Sequence, residues 1–198
     1  MGRHHLHLVR HGQQAAPNQT PDVLGNPLTA LGRRQARRLA DRLGRELGEA
    51  PRLSIHHSTM RRAAETAAFV AARLPQARLR PARDLWEIPA VSVPPEFAAW
   101  FAHFSPEQVE AGRAQAEQAY QRLFRPVRGQ DRHSVVVCHG NLIRYFLSRA
   151  FTLPDATWLH FDTSNAGLTE MVIEADGRAR LVAFNDVGHL PAAWRSFI

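Results

Sequence analysis

Two apolar runs of this chain end on the same dipeptide: Leu6-His7-Leu8-Val9 leads into Arg10-His11-Gly12, and Val135-Val136-Val137-Cys138 leads into His139-Gly140. Short aliphatic runs closed by glycine read as buried strands, and helix-forming sequence lies downstream of each. A chain that repeats strand and helix in this order must pair its strands into a sheet and lay its helices on the faces. Both histidines are then expected at strand ends, which is where open α/β sheets hold their ligands.

The rest of the chain fits that frame. Residues 4–9 form the first expected strand, and a loop bearing Pro, Asn and Gly follows it. A helix is predicted from about Thr29 to Leu47, with Thr29 as N-cap and Leu39, Leu43 and Leu47 on one apolar stripe. A second strand is expected at 53–58, an alanine-rich helix at about 61–74 and a short strand at 78–80. Prolines at 89, 94, 95 and 106 break the pattern beyond Asp84, and a helix is predicted from Pro106 to Phe124. We read about 84–130 as a lid-like insertion in a single domain spanning 1–198. A buried strand at 134–138, a helix at 141–151 and a hairpin turning at Asp176-Gly177 complete the chain. The expected fold is α/β, a three-layer α/β/α sandwich with a mostly parallel sheet and one antiparallel edge.

Composition narrows the class further. A chain of 198 residues with 44% hydrophobic residues suits one globular domain with a sizeable core. The lone Cys138 excludes an intrachain disulfide and, inside its apolar run, is expected to be buried; a reducing cytoplasm is the expected address. No apolar run approaches the roughly 18 residues of a membrane span, and the N-terminus lacks a signal-peptide core, so we expect no membrane partner. Net charge is +7 with every basic residue an arginine. Arg33, Arg34, Arg37, Arg38, Arg42 and Arg45 fall on one helix face, which is either a solvated face or an attractor for an anionic substrate. Nucleic acid is not expected as a partner, because no aromatics interleave with these arginines and no nucleic-acid-binding signature occurs.

The two histidine-glycine pairs suggest phosphoryl transfer. A neutral His11 imidazole could attack phosphorus in line, with the Arg10 guanidinium holding phosphoryl oxygens and Gly12 letting backbone approach the anion. In STMRRAAET at 58–66, two arginines open a helix whose N-terminus adds donors of its own. Arg62 is the chosen clamp and Arg61 its competitor. His139 would donate to a non-bridging oxygen, with Gly140 and Asn141 supplying backbone N–H groups and a cap. The leaving alkoxide needs a proton, and Glu87, between apolar Trp86 and Ile88, is the expected acid, with Asp84 the runner-up. Neither a metal nor a cofactor is expected. His4, His5, His7, His56 and His57 lack metal-site spacing and read as structural.

Taken together, LVRHG, PLTALGRRQARRLADRL, STMRRAAETA, VVVCHGNLIR and FNDVGHLP, in this order, are similar to the motifs of the histidine phosphatase superfamily, the phosphoglycerate-mutase-like family. STMRRAAETA stands where that family often has S-P-L-x-R-A-x-Q-T-A, an alignment that selects Arg62 over Arg61. The resemblance implies a phosphoglycerate-mutase-like fold, His11 as nucleophile, Arg10, Arg62 and His139 as phosphate pocket and Glu87 as acid and base, without a metal. The family's asparagine six residues after the nucleophile is displaced here, since Pro17 holds that position and Asn18 follows it; Asn18 is carried as a substrate-binding candidate.

From Val135 to Pro191 the chain most resembles the branch of the family that dephosphorylates phosphoserine and phosphothreonine, although Trp86 and Ile88 replace an arginine and a glycine of its acid motif. The expected activity is hydrolysis of a phosphomonoester, either a phosphopeptide or a small phosphate ester. A phosphoglycerate-mutase-type transfer and a catalytically idle phosphate-binding module are the alternatives, and a homodimer is one candidate assembly. Trp100, Phe101 and Phe104 are read as core or as a wall for substrate.

Overall fold

A computed structural model of the chain describes residues 2–16, 24–91, 99 and 102–197. Its six strands are β1 (His4–Arg10), β2 (Leu53–Ser58), β3 (Arg78–Ala82), β4 (Arg132–Cys138), β5 (Leu168–Ile173) and β6 (Ala179–Asp186). They form one sheet in the order β3-β2-β4-β1-β5-β6. The first four are parallel, and β5 and β6 add an antiparallel edge. Gly177, at φ 88°, turns the hairpin between them.

Helices α1 (Ala30–Leu47) and α2 (Arg61–Arg73) cover one face of the sheet, while α3 (Pro106–Leu123) and α4 (Gly140–Ala150) cover the other. The alternation of side chains along the strands divides the core accordingly. Val9, Val135 and Val137 point to α1 and α2; Leu6, Leu8, Val136 and Cys138 point to α3 and α4. The predicted stripe of Leu39, Leu43 and Leu47 is buried on α1. Thr29 caps that helix as expected, its side-chain oxygen accepting from the Gly32 N–H at 2.9 Å. Helix α3 begins with a full capping box at Ser105 and Gln108.

Two sequence expectations change at this level. Ala116, Ala119 and Leu123 of α3 pack with Leu85, Ile88 and Ala90 in the core, so a lid reading cannot extend over 84–91 or α3. Proline spacing signals broken secondary structure, but burial decides whether the pieces belong to the core. Arg42, placed on the solvated arginine face, is largely withdrawn from water: it donates to Asp186 at 2.7 Å and Glu46 at 2.8 Å.

Register explains where a site must form. Parallel pairing places Arg10 of β1 opposite Cys138 of β4, and His57 of β2 opposite Val137. The next residues, His11, His139 and Ser58, therefore emerge side by side at the same edge of the sheet. The helix after β1 packs on one face and the helix after β4 on the other, which opens a crevice between the two strand ends.

Candidate active site

The ladder continues one step past the strands: the His11 N–H donates to the Cys138 carbonyl at 3.1 Å. The imidazoles of His11 and His139 are consequently adjacent, with ring centroids 5.1 Å apart and planes inclined by 61°. Both rings are buried.

His11 Nδ1 pairs with the Gly12 carbonyl at 2.8 Å, a contact that requires the ring hydrogen on Nδ1. The lone pair is thereby on Nε2, where it accepts from Arg62 Nε at 3.0 Å. Burial holds the His11 pKa well below the ordinary histidine value; the Arg62 and Arg10 charges push the same way, against the Gly12 contact. The imidazole is neutral at physiological pH, the state a nucleophile needs.

Arg62 enters from the first turn of α2 and is buried, while neighbouring Arg61 is exposed and paired with Glu65 at 3.0 Å. A helix repeats every 3.6 residues, so one of two consecutive arginines must face away. Arg10 is anchored through Nη1 by the Thr163 and Phe197 carbonyls. Its buried Nε has no hydrogen-bond partner among the described residues, and the same is true of Thr163 Oγ1 and His139 Nδ1. A Cβ on Gly140 would lie 2.9 Å from that Thr163 hydroxyl and 3.5 Å from Arg10 Nε. Buried polar atoms without partners are rare in native proteins. Their concentration at the start of α4, beside two guanidinium groups, suits a small oxyanion.

Ser58 supplies a contact that sequence reasoning left without a role. Its hydroxyl accepts from the Met60 N–H at 3.2 Å and lies 2.9 Å from His139 Nε2. When the hydroxyl hydrogen points to Nε2, the ring hydrogen of His139 sits on Nδ1, where it can donate. Burial, then His11, Arg62 and Arg10, keep the pKa of this ring well below its ordinary value.

Glu87 follows the 3-10 turn Arg83–Leu85 and reaches the same crevice. Burial raises its pKa; Arg10, the Ile88 N–H, Arg62 and the Leu142 N–H of α4 oppose the rise. Asp84 is engaged elsewhere, gripped at both oxygens by Arg122 at 2.7 and 2.8 Å.

Several expected details differ. Gly12 does not present its N–H to an anion: that group donates to Thr66 Oγ1 at 3.1 Å, and a Cβ on Gly12 would meet the Gly32 carbonyl at 2.6 Å. The close approach it permits is that of α1. Asn141 does not cap α4, since its Nδ2 donates to the Ile88 carbonyl at 3.0 Å and His139 is the cap residue. Asn18, Trp100 and Phe101 lie outside the described residues. Phe104 packs on His103, with centroids 4.1 Å apart.

Thr66, Thr163, Asn165 and Arg144 join the site without having been singled out. Asn165 Nδ2 donates to the His11 carbonyl at 3.3 Å. Arg144 adds a cation close enough to act electrostatically on Arg10 and Glu87. The signal for Arg144 lay within VVVCHGNLIR and that for Thr66 within STMRRAAETA; Thr163 and Asn165 were recognisable only from their distant partners. Among the described residues, no group of three or more His, Cys, Asp or Glu could hold a metal ion, and no helix is long and apolar enough to cross a membrane.

Comparison with known proteins agrees with this fold. The family model described as histidine phosphatase superfamily (branch 1) matches residues 6–187. The mitochondrial serine/threonine-protein phosphatase Pgam5 of Caenorhabditis elegans is 34% identical over 97% of this chain, which spans 66% of that relative. Among solved structures, phosphoglycerate mutase from Plasmodium falciparum superposes with a TM-score of 0.68 at 29% identity, covering 97% of this chain and 96% of that one. Mycobacterial glucosyl-3-phosphoglycerate phosphatase gives a TM-score of 0.66 at 26% identity, covering 92% and 99%. The mitochondrial relatives overturn the cytoplasmic address expected from the lone cysteine. A single unpaired thiol bears on disulfides and does not select a compartment.

Proposed function

Because the chain belongs to the histidine phosphatase superfamily (branch 1), we propose that it is a phosphomonoester hydrolase that works through a phosphohistidine on His11. His11 Nε2 attacks phosphorus, forming the N–P bond as the ester P–O bond breaks, and Glu87 gives its proton to the departing oxygen. Arg10 and Arg62 hold the non-bridging oxygens, and the His139 Nδ1–H donates to the charge that develops there. The Glu87 carboxylate then takes a proton from water, whose oxygen attacks phosphorus; inorganic phosphate leaves and His11 is restored. No step calls on a metal.

One observation carries this reading: His11 Nδ1 is tied to the Gly12 carbonyl at 2.8 Å while Nε2 faces Arg62 at 3.0 Å, so the attacking lone pair already lies against a phosphate-binding group. The name of the nematode relative supports phosphoserine and phosphothreonine as substrates, and the mycobacterial neighbour supports small phosphate esters. We treat 1–198 as one catalytic domain because both core clusters share a single sheet. The remainder of the expected lid, at 92–98, 100 and 101, lies outside the described residues.

Rapid quenching with 32P-labelled ester in the presence of chelator tests the proposal. The expected result is an acid-labile, base-stable phosphoenzyme that is lost in His11→Ala together with turnover. Undiminished turnover in that variant would reject the reading. Label passing to added phosphoglycerate instead of water would favour the mutase chemistry of the Plasmodium neighbour.

A further inference from the structure

Contacts in the structure bring four apolar or aromatic residues, a candidate collar, close to the arginines of the proposed phosphate pocket. Met60 Sδ accepts from Arg62 Nη2 at 3.6 Å. The Leu24-Gly25 segment lies against the same guanidinium, since a Cβ on Gly25 would sit 2.8 Å from Arg62 Nη1 and 3.5 Å from Met60 Cε. Trp86 directly precedes Glu87, and its Nε1–H donates to Thr59 Oγ1 at 2.6 Å, beside Met60. Phe197 is brought alongside by its own carbonyl, which accepts from Arg10 Nη1.

Two of these side chains are open to solvent, Leu24 at 46% and Phe197 at 56% exposure. The other large apolar residues exposed among those described have plain positions: Leu79 on edge strand β3, Leu181 and Val182 on edge strand β6, and Phe151 just past the end of α4. Leu24 and Phe197 instead lie in irregular chain held against the pocket arginines. Exposed apolar surface grouped around a polar centre is a feature of binding sites.

The cations around the mouth are also engaged. A phosphorylated acid would need one for its second negative charge. Arg61 is paired with Glu65, and Arg83 lies over the Trp86 ring at 5.9 Å. Arg144 donates from each of its three nitrogens, to the Phe161 carbonyl, Asn141 Oδ1 and Asp162 Oδ1, so a substrate carboxylate would compete with Asp162 for it.

We propose that this collar selects the organic part of the substrate, so that phosphomonoesters with an apolar aromatic leaving group are preferred over phosphorylated polyols and phosphorylated acids. This rests on the hydrolase reading above and specifies its substrate class. The ring would pack against Trp86, Met60 and Phe197 while the phosphoryl group lies on the arginines.

Benzyl phosphate, glycerol phosphate and 3-phosphoglycerate make a controlled comparison, because each releases an alkoxide that needs the same proton. For the full chain, kcat/KM for benzyl phosphate is expected to exceed that for each of the others by at least about tenfold, the scale of apolar discrimination in a pocket. Phe197→Ser and Trp86→Gln should each lower the benzyl-to-glycerol ratio by about threefold or more. A ratio within one variant does not depend on how much of the protein is folded, and exposed Phe197 has little core to disturb. A wild-type ratio near one, or a ratio unmoved in both variants, overturns the collar while leaving the hydrolase reading intact. Failure to turn over any ester, with no phosphohistidine, overturns both.

Discussion

Arg62 donates from Nε to Nε2 of His11 at 3.0 Å, which in the proposed mechanism puts the phosphate clamp on the attacking nitrogen. On that proposal the guanidinium orients the nucleophile before substrate arrives and holds the phosphoryl oxygens afterwards. Its positive charge also disfavours protonation of the ring.

Arg62→Lys retains the charge but not the planar fork, so the loss reports geometry. We expect kcat/KM to fall on the order of 10²- to 10³-fold, the usual consequence of losing one preorganised oxyanion donor. Arg62→Gln removes the charge as well. The His11 pKa should then rise, moving the acid limb of the pH–rate profile upward. Steady-state kinetics from pH 4 to 8 would detect both effects, and an unchanged limb in Arg62→Gln would contradict the electrostatic part.

In the proposed mechanism Glu87 acts first as an acid, and burial raises its pKa. Activity toward alkyl esters should therefore decline as pH climbs through that raised value. Glu87→Gln is expected to slow alkyl esters on the order of 10²- to 10⁴-fold and to abolish the alkaline limb. It should affect para-nitrophenyl phosphate less, because that leaving group departs without a proton. Asp84→Asn, which disturbs an ion pair with Arg122, should leave the alkaline limb in place; a profile that followed Asp84 would reassign the acid.

The contact of Gly12 with α1 is tight in both directions: a Cβ on Gly32 would lie 2.1 Å from the Gln13 carbonyl. Gly32→Ala should force the start of α1 away from the loop after β1 and destabilise the fold by about 1–3 kcal/mol. Thermal denaturation would register this as a clear fall in Tm. A Tm equal to wild type would mean that the helix start shifts freely.

Acid should weaken the fold before it protonates the nucleophile. Burial lowers the His4 pKa to about 4; Arg132, His5 and His7 add to the effect against the Arg125 carbonyl. His56, His133 and His189 are likewise lowered to about 4, chiefly by burial. The unfolded value is about 6.5, so between pH 6.5 and 4 the unfolded chain binds more protons and stability falls with pH. For His4 alone the slope approaches about 1.4 kcal/mol per pH unit across that window. Urea midpoints at pH 7.5, 6 and 5 should decrease in that order. His4→Gln, at Ser134 Oγ and the Arg125 carbonyl, should flatten the trend.

Much of the frame was legible because strand ends, helix periodicity and caps are local properties. Thr29 could be recognised as a cap from its own position, and the pairing of His11 with His139 followed once both preceding runs were read as parallel strands. Contacts between distant segments were less accessible. Gly12 was marked for the close approach of an anion, but glycine does not reveal what approaches, and the neighbour is a helix. Asn141 has the chemistry of a cap, yet the Ile88 carbonyl competes for its amide. Ser58, Thr66 and Asn165 are common polar residues whose roles depend on partners dozens of residues away. Arg42 resembles its exposed neighbours on α1 until Asp186 of β6 is placed beside it.

The lone sulfhydryl gives the proposed chemistry an unusual tolerance. Cys138 lies opposite Arg10 in the ladder, directly beneath the pocket, fully enclosed and with its thiol pushed up by burial. Peroxide and alkylating agents attack thiolates they can reach, and this group is neither ionised nor accessible. An enzyme with an imidazole nucleophile and a sealed thiol should keep turning over under oxidant stress that silences cysteine-dependent phosphatases.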